Sequence, residues 1–408
     1  MSWSEVSFES LYAAPSRNGV YKPKEFHGSG CRIVNMGELF AYDVIPDVEM
    51  SRLRLTDAEL RRSALEQGDL LFARRSLIES GAGKCAIVGE MTEPTTFESS
   101  IIRVRVDRSR VLPEFLRYWF ASHQGRGRMR AIVTGTNVKG IKGSTLKSLL
   151  IPIPEIDEQQ EIVSVLSAYD DLIANNRRRI ETLEEAARLL YQEWFIALRF
   201  PGSEEVAVQD RLPDGWKRTT IDQVANTIGG GTPSSKKSEY WADGDVTWFT
   251  PTDITGSHGL VILDSNRKIT REGLAGSSAK MLPPMAIMMS SRASVGFFGL
   301  CPKSACTNQG FISSVPHTAN MRMFLLFNLM ARVEEIDLLA SGATYKEINK
   351  SSFRSMIVDV PPDSVLDQFE AIVAPILDQV LNLTSQIEEL EKARDILLPR
   401  LMSGEVTV

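Results

Sequence analysis

The heptad IETLEEA, residues 180–186, recurs as IEELEKA, residues 387–393. The two copies lie about 207 residues apart. A surface helix needs such a pattern only once, so the repetition predicts an internal duplication, in which the chain contains two copies of one structural unit. At the same offset the chain matches itself further, pairing Gly135 with Gly342, Lys139 with Lys346, Ile141 with Ile348, Ser148 with Ser355, Pro154 with Pro361, Asp171 with Asp378 and Leu190 with Leu397.

The two halves begin alike and diverge in their middles. Trp3 corresponds to Trp216 at a slightly longer offset, and FARRS at 72–76 is a weak counterpart of SSRAS at 290–294. Short strand-like runs such as DLLFA and VTWFT are separated by Gly, Pro and Ser, and LPEFLRYWFASHQ has the pattern of an amphipathic helix. Each half is therefore predicted to contain a mixed α/β body of about 150 residues and a more similar tail.

Both tails are predicted to be helices, because their apolar residues alternate in steps of four and three, the a/d heptad of a coiled coil. Asn176 interrupts the first seam and Arg394 the second. An exposed apolar stripe of about 38 residues, roughly 55 Å long, would aggregate, so we expect the helices to pack on each other. The first helix leads the chain away from the first body and the second begins beside the second body, so the pair should be antiparallel. The residues predicted to form this contact are Ile162, Leu166, Tyr169, Ile173, Ile180, Leu183 and Leu190 in the first helix, and Val373, Ile376, Val380, Leu383, Ile387, Leu390 and Leu397 in the second.

The predicted fold class is therefore α+β: two mixed α/β domains separated by a long antiparallel two-helix coiled coil, with the pseudo-twofold symmetry of an internal duplication. The expected boundaries are 1–157 for the first body, 158–200 for the first helix, 201–363 for the second body with a linker at 201–215, and 364–408 for the second helix.

Composition narrows the class of protein. The chain has 408 residues and a net charge of −6. No apolar run approaches the ~20 residues that cross a bilayer. The first residues lack a secretory pattern, so a cytoplasmic location without membrane partners is expected. The cysteines Cys31, Cys85, Cys301 and Cys306 are too few for a disulfide framework and lack the histidines of a zinc site, so free thiols and no metal are expected.

The sequence contains no recognisable catalytic motif. The Asn/Asp-Pro-Pro-aromatic tetrapeptide of an adenine amino-methyltransferase is absent. IGGGTPSSKKS resembles a phosphate loop but lacks the G-x4-G-K-[ST] spacing, and no G-x-S-x-G or HxxxH occurs. These absences favour a binding protein over an enzyme.

Basic residues are concentrated where a nucleic acid could bind. The segment from Ala121 to Lys147 has six Lys/Arg and no acidic residue, and its glycines would allow backbone amides to approach phosphates. A solvated charged loop is the alternative interpretation, and recurrence of part of the pattern in the second half favours binding. Arginines that follow strand-like runs beside serine could read bases. The candidate DNA-binding residues are Arg74, Arg75, Ser76, Arg126, Arg128, Arg130, Asn137, Lys139, Lys142, Lys236, Lys237, Arg292, Ser294, Thr344, Tyr345, Lys346 and Asn349.

Several motifs together resemble the DNA-specificity subunit of type I restriction-modification enzymes. They are LKSLLIPIPEIDEQQEIV and NRRRIETLEEAARLLYQEWF in the first half, then LPDGW, GGGTPSS and IEELEKARDILLPRLMSGE in the second. The resemblance covers essentially the whole chain. The second helix start departs from the pattern, because DVPPDSVLDQFEAIV has Asp367-Gln368 in place of the usual Glu-Gln.

The resemblance implies that each body is a target-recognition domain that reads one half of a split site in double-stranded DNA. It implies that the helices set the spacing and dock two modification subunits, which bind S-adenosylmethionine and methylate adenine N6. Restriction (translocase) subunits that use ATP and Mg would join the complex. The chain itself would have no active site and no cofactor. A coiled-coil protein adaptor without DNA contact stays as the alternative, favoured slightly by the acidic net charge.

Overall fold

The computed structural model describes residues 3–209, 212–342 and 346–406. The chain divides into two compact units: unit 1 comprises residues 1–171 and 390–408, and unit 2 comprises residues 172–389. Both boundaries fall inside long helices, so each unit contains one body and a segment of each helix.

Unit 1 has short strands and helices ahead of the first long helix. Its strands are β1 (Ser4–Ser7), β2 (Tyr12–Asn18), β3 (His27–Val34), β4 (Val44–Ile45), β5 (Arg52–Leu53), β6 (Leu70–Ala73), β7 (Arg75–Ser76), β8 (Cys85–Val88), β9 (Thr95–Phe97), β10 (Ile101–Val106), β11 (Lys139–Gly140) and β12 (Leu150–Ile153). Its helices are α1 (Met36–Ala41), α2 (Asp57–Ser63), α3 (Pro113–Ala121), α4 (His123–Ala131) and α5 (Gly143–Lys147), and α6 (Ile156–Tyr191) continues into unit 2.

Unit 2 is built in the same way. Its strands are β13 (Val208–Gln209), β14 (Leu212–Pro213), β15 (Lys217–Thr220), β16 (Ala225–Gly229), β17 (Val246–Phe249), β18 (Lys268–Ile269), β19 (Ile287–Ser290), β20 (Phe298–Leu300), β21 (Cys306–Thr307), β22 (Phe311–Pro316) and β23 (Ile357–Val360). Its helices are α7 (Ile221–Val224), α8 (Pro251–Thr255), α9 (Arg271–Ala275), α10 (Met321–Ala331), α11 (Val333–Leu339) and α12 (Lys350–Arg354), and α13 (Asp363–Met402) ends in unit 1.

The sheets of the two units have matching topologies. The main sheet has the order β2-β10-β6-β8-β4 in unit 1 and β16-β22-β19-β20 in unit 2. In the second sheet, β3 is antiparallel to β5 and parallel to β9, just as β17 is antiparallel to β18 and parallel to β21. The β1–β12 pair corresponds to β15–β23. The duplication therefore extends through the middles of the halves, where the sequences no longer align.

The central strand β6 explains where the first group of basic residues emerges. Its four residues are all buried, and they alternate between two cores. Leu70 and Phe72 join the core beneath α3, whereas Leu71 and Ala73 join the core on the opposite face. A strand covered on both faces is uniformly apolar, so the polar run that follows it must leave the sheet at its end. The corresponding strand β19 is also buried throughout.

In unit 1 the two long helices run antiparallel. Arg394 of α13 donates to the Asp170 carboxylate of α6 at 2.9 Å. Further along α13, Leu401 joins the core that contains Ile162 and Leu166 of α6. Advancing along one helix therefore means moving back along the other, as the direction of the chain predicts.

In unit 2 the helices are antiparallel as well. Asn176 donates its amide to Gln386 at 3.2 Å. Phe369, near the start of α13, packs against Tyr191 and Trp194 near the end of α6, at ring-centroid distances of 6.3 and 5.8 Å. After α6, residues Gln192–Ile196 form a π-helical turn.

The residues predicted to line the helix contact differ in burial. Ile162, Leu166, Ile173, Ile180, Val373, Val380, Leu383 and Ile387 are buried, whereas Tyr169, Leu183, Leu190, Ile376, Leu390 and Leu397 are half-buried.

Candidate nucleic-acid interface

Two predicted basic segments of unit 1 meet in a short antiparallel ribbon. Strand β7 pairs with β11, so that Lys139 faces Ser76 and Gly140 faces Arg75. The adjacent Ile141 donates its N–H to the Arg74 carbonyl at 3.0 Å. We call residues 74–76 with 139–140 the first basic ribbon.

Unit 2 has the equivalent ribbon. Arg292 and Glu347 form an antiparallel bridge, and the Ala293 N–H donates to the Lys346 carbonyl at 2.9 Å. We call residues 291–293 with 346–348 the second basic ribbon. The Ile348 N–H donates to the Ser291 carbonyl at 3.0 Å, the bond that Ile141 makes to Arg74.

This register corrects the sequence alignment of FARRS with SSRAS by one residue. Ser291 occupies the place of Arg74, and Arg292 that of Arg75. The alignment is wrong because two arginines follow the strand in the first half and only one follows it in the second. Matching arginine to arginine and serine to serine therefore does not show which residues occupy equivalent positions.

The ribbon cations differ in how strongly protein groups hold them. Arg75 is exposed, and no hydrogen bond or ion pair of its side chain is found among the described residues. The half-buried Arg74 donates weakly to the Ser99 carbonyl at 3.4 Å. Arg292 lies 3.8 Å from Glu347, and Lys346 pairs with Asp337 at 2.6 Å. Such exposed pairs contribute little to folding and can exchange for phosphate.

At Arg126, Arg128 and Arg130 the prediction that glycines let backbone amides approach phosphates is wrong. The three arginines lie on α4, where the backbone amides are used by the helix. Gly125 serves packing, because a Cβ there would sit 2.0 Å from the Trp119 carbonyl oxygen. The backbone amides from Arg126 to Arg130 are therefore not available to bind phosphates.

The three side chains on α4 also have different surroundings. Arg126 donates to the Ser80 carbonyl, and burial lowers the pKa of its guanidinium. Arg128 pairs with Glu5 and donates to the Leu150 carbonyl. Arg130 is 71% exposed and lies 3.4 Å from Glu79. Arg130 is thus the most available of the three.

The remaining candidates lie mostly on exposed loops. The exposed residues are Asn137, Lys142, Lys236, Lys237 and Ser294. Lys237 donates to the Tyr240 hydroxyl at 2.9 Å. Asn349 has a structural role, because its side chain caps the N-terminus of α12 by accepting a hydrogen bond from the Ser352 N–H at 2.9 Å. Thr344 and Tyr345 lie outside the described residues.

One segment beside the second basic ribbon was not predicted. A cavity of about 290 Å³ is lined by Pro251, Arg292, Ala293, Asn308, Gln309 and Gly310. The Gln309 amide oxygen accepts from Thr232 of the GGGTPSS motif. Gly230 of that motif allows close approach, because a Cβ there would lie 2.0 Å from the Asn308 carbonyl oxygen. The glycine run thus packs against this loop, a contact between distant segments that no local pattern indicates.

Comparison with known proteins identifies the class. The chain matches the family described as type I restriction modification DNA specificity domain over residues 61–185 and 213–396. It is 24% identical to the MjaIX specificity subunit of Methanocaldococcus jannaschii, over 95% of this chain and 89% of the relative. It is 24% identical to the HindI specificity subunit of Haemophilus influenzae, over 85% and 88% of the two chains. The crystal structure of the S subunit from M. genitalium shares the fold, with a TM-score of 0.59 at 16% identity over 98% of this chain and 96% of that one.

The chain therefore belongs to the type I restriction-modification DNA-specificity family. It is a specificity subunit, the non-catalytic component that recognises DNA, and its α+β fold with two duplicated halves is confirmed. The adaptor alternative is not favoured. Among the described residues, no group of three or more His, Cys, Asp or Glu side chains could hold a metal ion. No helix there is long and apolar enough to cross a membrane.

Proposed function

We propose that each body reads one half of an asymmetric bipartite site in double-stranded DNA, and that the basic ribbon of each unit lies against the DNA. The observation that carries the proposal is the recurrence of the same ribbon at the end of the same buried strand in both units. Arginine and lysine at these places would neutralise phosphates, and an arginine could also read guanine. The boundaries assigned to the bodies are 1–157 and 201–363.

The two long helices have two roles in the proposed function. They would fix the distance between the half-sites, as dimer geometry does in other DNA-binding proteins. They would also dock two modification subunits, which carry S-adenosylmethionine and methylate adenine N6 in each half. Restriction subunits that use ATP and Mg would join this complex in the cytoplasm.

The decisive experiment maps N6-methyladenine in a genome that carries this chain and its modification subunits. We expect one bipartite motif with two unlike halves. Binding of the complex to the mapped duplex should fall steeply with salt, because phosphate contacts release counterions. A flat salt response would contradict the proposed role of the basic ribbons, and methylation without a bipartite motif would contradict the half-site assignment.

A further inference from the structure

The loops that follow the buried strands β6 and β19 are closed by the same hydrogen bond. The Gly83 N–H donates to the Ala73 carbonyl at 2.8 Å, and the Gly296 N–H donates to the Ser290 carbonyl at 2.9 Å. Both glycines have left-handed φ angles, 70° and 87°. In each unit the residue after the glycine also accepts a bond from the same strand residue, at 2.9 Å. The two loops are therefore equivalent, and their lengths can be compared directly.

The loop of unit 1 is longer and carries an exposed aliphatic pair. It spans residues 74–82, nine residues, whereas its counterpart spans 291–295, five residues. Within the longer loop, Leu77 is 83% exposed and Ile78 is 65% exposed. The shorter loop reads SRASV and contains neither leucine nor isoleucine. The extra length thus places two large apolar side chains in solvent within the loop, whereas loop 291–295 has none and the exposed Phe297 lies beyond its closing glycine.

The base of this loop is fixed although its tip is exposed. The Ile78 N–H donates to the Ser76 hydroxyl at 3.2 Å. Arg126 donates to the Ser80 carbonyl, and Arg130 lies 3.4 Å from Glu79. A tip held in this way loses little conformational entropy when it binds, which favours a role in recognition.

The surroundings indicate what the tip would meet. The exposed Arg75 lies two residues before Leu77, and Lys139 lies across the ribbon from Ser76, the residue between them. Proteins that kink DNA insert apolar side chains between adjacent base pairs and bind the neighbouring phosphates with cations. The cations hold the phosphates while the apolar side chains unstack the bases.

We infer that Leu77 and Ile78 form a wedge that inserts between adjacent base pairs of the half-site read by unit 1. The inference rests on the proposed function, because it requires the first basic ribbon to lie on DNA. Since the shorter loop of unit 2 lacks such a pair, the distortion is confined to one half of the site. Part of the specificity in that half then comes from how easily a base step unstacks.

The test uses the full-length chain in complex with its modification subunits, bound to the mapped duplex. It compares the wild-type complex with that of the double variant Leu77→Ser, Ile78→Ser. Wild type should make thymines at one step of the first half reactive to permanganate, and the variant should not. The variant should bind roughly tenfold more weakly with an unchanged salt slope, because no phosphate contact is removed. Its deficit should shrink on a duplex with an abasic site at that step, where stacking is already broken.

Ile196→Ser is the matched control. Ile196 is 63% exposed, close to the 65% of Ile78, and it lies in the π-helical turn Gln192–Ile196, which is part of neither basic ribbon. We expect it to bind DNA like wild type. An equal deficit in both variants, or wild-type permanganate reactivity in the wedge variant, would overturn the inference.

Two outcomes separate this inference from the proposed function. If the wild-type complex does not bind the mapped duplex with a steep salt response, the proposed function itself fails. If the wedge variant binds DNA normally but no longer co-purifies with modification subunits, the tip is a protein-docking surface and only the wedge is wrong.

Discussion

Arginines that look equivalent in the sequence fall into two physical classes. Arg75 is exposed without a partner among the described residues, whereas Arg128 pairs with Glu5, donates to the Leu150 carbonyl and lies 6.0 Å from the Trp119 ring centroid. We expect Arg75→Ala to leave thermal unfolding unchanged and to reduce the salt slope of DNA binding by about one.

Arg128→Ala is the matched comparison for that measurement. It should lower the free energy of unfolding by roughly 1 kcal/mol, because its partners are partly exposed, and it should change the salt slope less than Arg75→Ala does. If the two variants behave alike in both assays, the division into ribbon and packing arginines is wrong.

Glu184 of α6, in unit 2, is a half-buried carboxyl group. Its carboxylate accepts from the Leu260 N–H at 2.7 Å, beside Gly259, where a Cβ would come within 3.0 Å of the carboxylate oxygen. Burial raises the pKa of Glu184 to about 7, against the opposing effect of the Leu260 bond, and Glu181 raises it further.

The sign of the pH dependence follows from that pKa. The folded state holds the proton more tightly than the unfolded state, whose pKa is near 4.5, so stability falls as the pH rises from about 4.5 to about 7. Glu184→Gln should make the thermal unfolding midpoint less dependent on pH over this range. Wild type and variant with parallel pH profiles would show that Glu184 does not titrate there.

Individual residues show how far sequence reasoning could go at this site. The apolar run DLLFA predicted a strand, and therefore that Arg74 and Arg75 follow its end. It could not predict that Lys139 would lie opposite Ser76, because strand pairing across more than 60 residues leaves no local signal. The helical state of Arg126–Arg130 was missed because glycine was read as conformational freedom, whereas Gly125 is needed for close packing.

At the scale of elements, the two polar positions of the predicted seams have specific partners. Arg394 meets Asp170 in unit 1, and Asn176 meets Gln386 in unit 2. At the offset of the duplication, Asp170 and Arg394 correspond to Leu377 and Ala187, which are both buried. The ionic contact is therefore absent from the corresponding place in unit 2. A polar contact that exists in one half only can fix helix register against alternative pairings.

Asp170 is the centre of that contact. Its carboxylate accepts from Arg117 at 2.8 Å, Tyr118 at 2.7 Å and Arg394 at 2.9 Å. Burial alone would raise the pKa of Asp170, but the bond from Tyr118 and the two arginines outweigh it and lower the pKa. The stabilisation is therefore present above the usual pKa near 3.8 and is lost as the pH falls below it.

We expect Asp170→Ala to lower the free energy of unfolding by roughly 2–3 kcal/mol, because it leaves two guanidinium groups facing each other without their shared partner. The neighbouring Asp171→Ala should have little effect, since Asp171 is exposed. Chemical denaturation of both variants at neutral pH measures the difference. Equal stabilities would show that the network contributes nothing to the fold.

The start of the helices shows why a motif resemblance can fix an element and still misplace a residue. Gln159 of EIDEQQEIV is fully buried, where its side chain accepts from the Leu112 N–H at 2.8 Å and donates to the Pro154 carbonyl at 2.9 Å. In the second helix the buried counterpart is Leu366, whereas Gln368 is exposed. The apparent substitution of Asp367-Gln368 for Glu-Gln is thus wrong, because an apolar residue fills the place of the buried amide.

At the scale of the molecule, the duplication separates what the two units share from what distinguishes them. The sheet order and the basic ribbons recur, and both units pair the two helices in antiparallel fashion. The loop lengths after β6 and β19 differ, as do the sequences of the bodies. Under the proposed function, the shared features would make sequence-independent contacts to DNA and contacts to the modification subunits, and the unlike loops would read two unlike sequences.

This separation leads to the prediction that tests the whole architecture. Replacing residues 1–157 with the body of another family member retains Gln159 and the helix residues Ile162, Leu166 and Leu401 that pack beneath the first body. The hybrid should therefore fold, and its methylation map should show a new first half-site with the second half and the spacing unchanged. Replacing residues 216–360 instead should change only the second half. Because both exchanges retain α13 and all of α6 from residue 158 onward, a change of spacing in either hybrid, or of both half-sites at once, would contradict independent reading by two bodies on a fixed helical spacer.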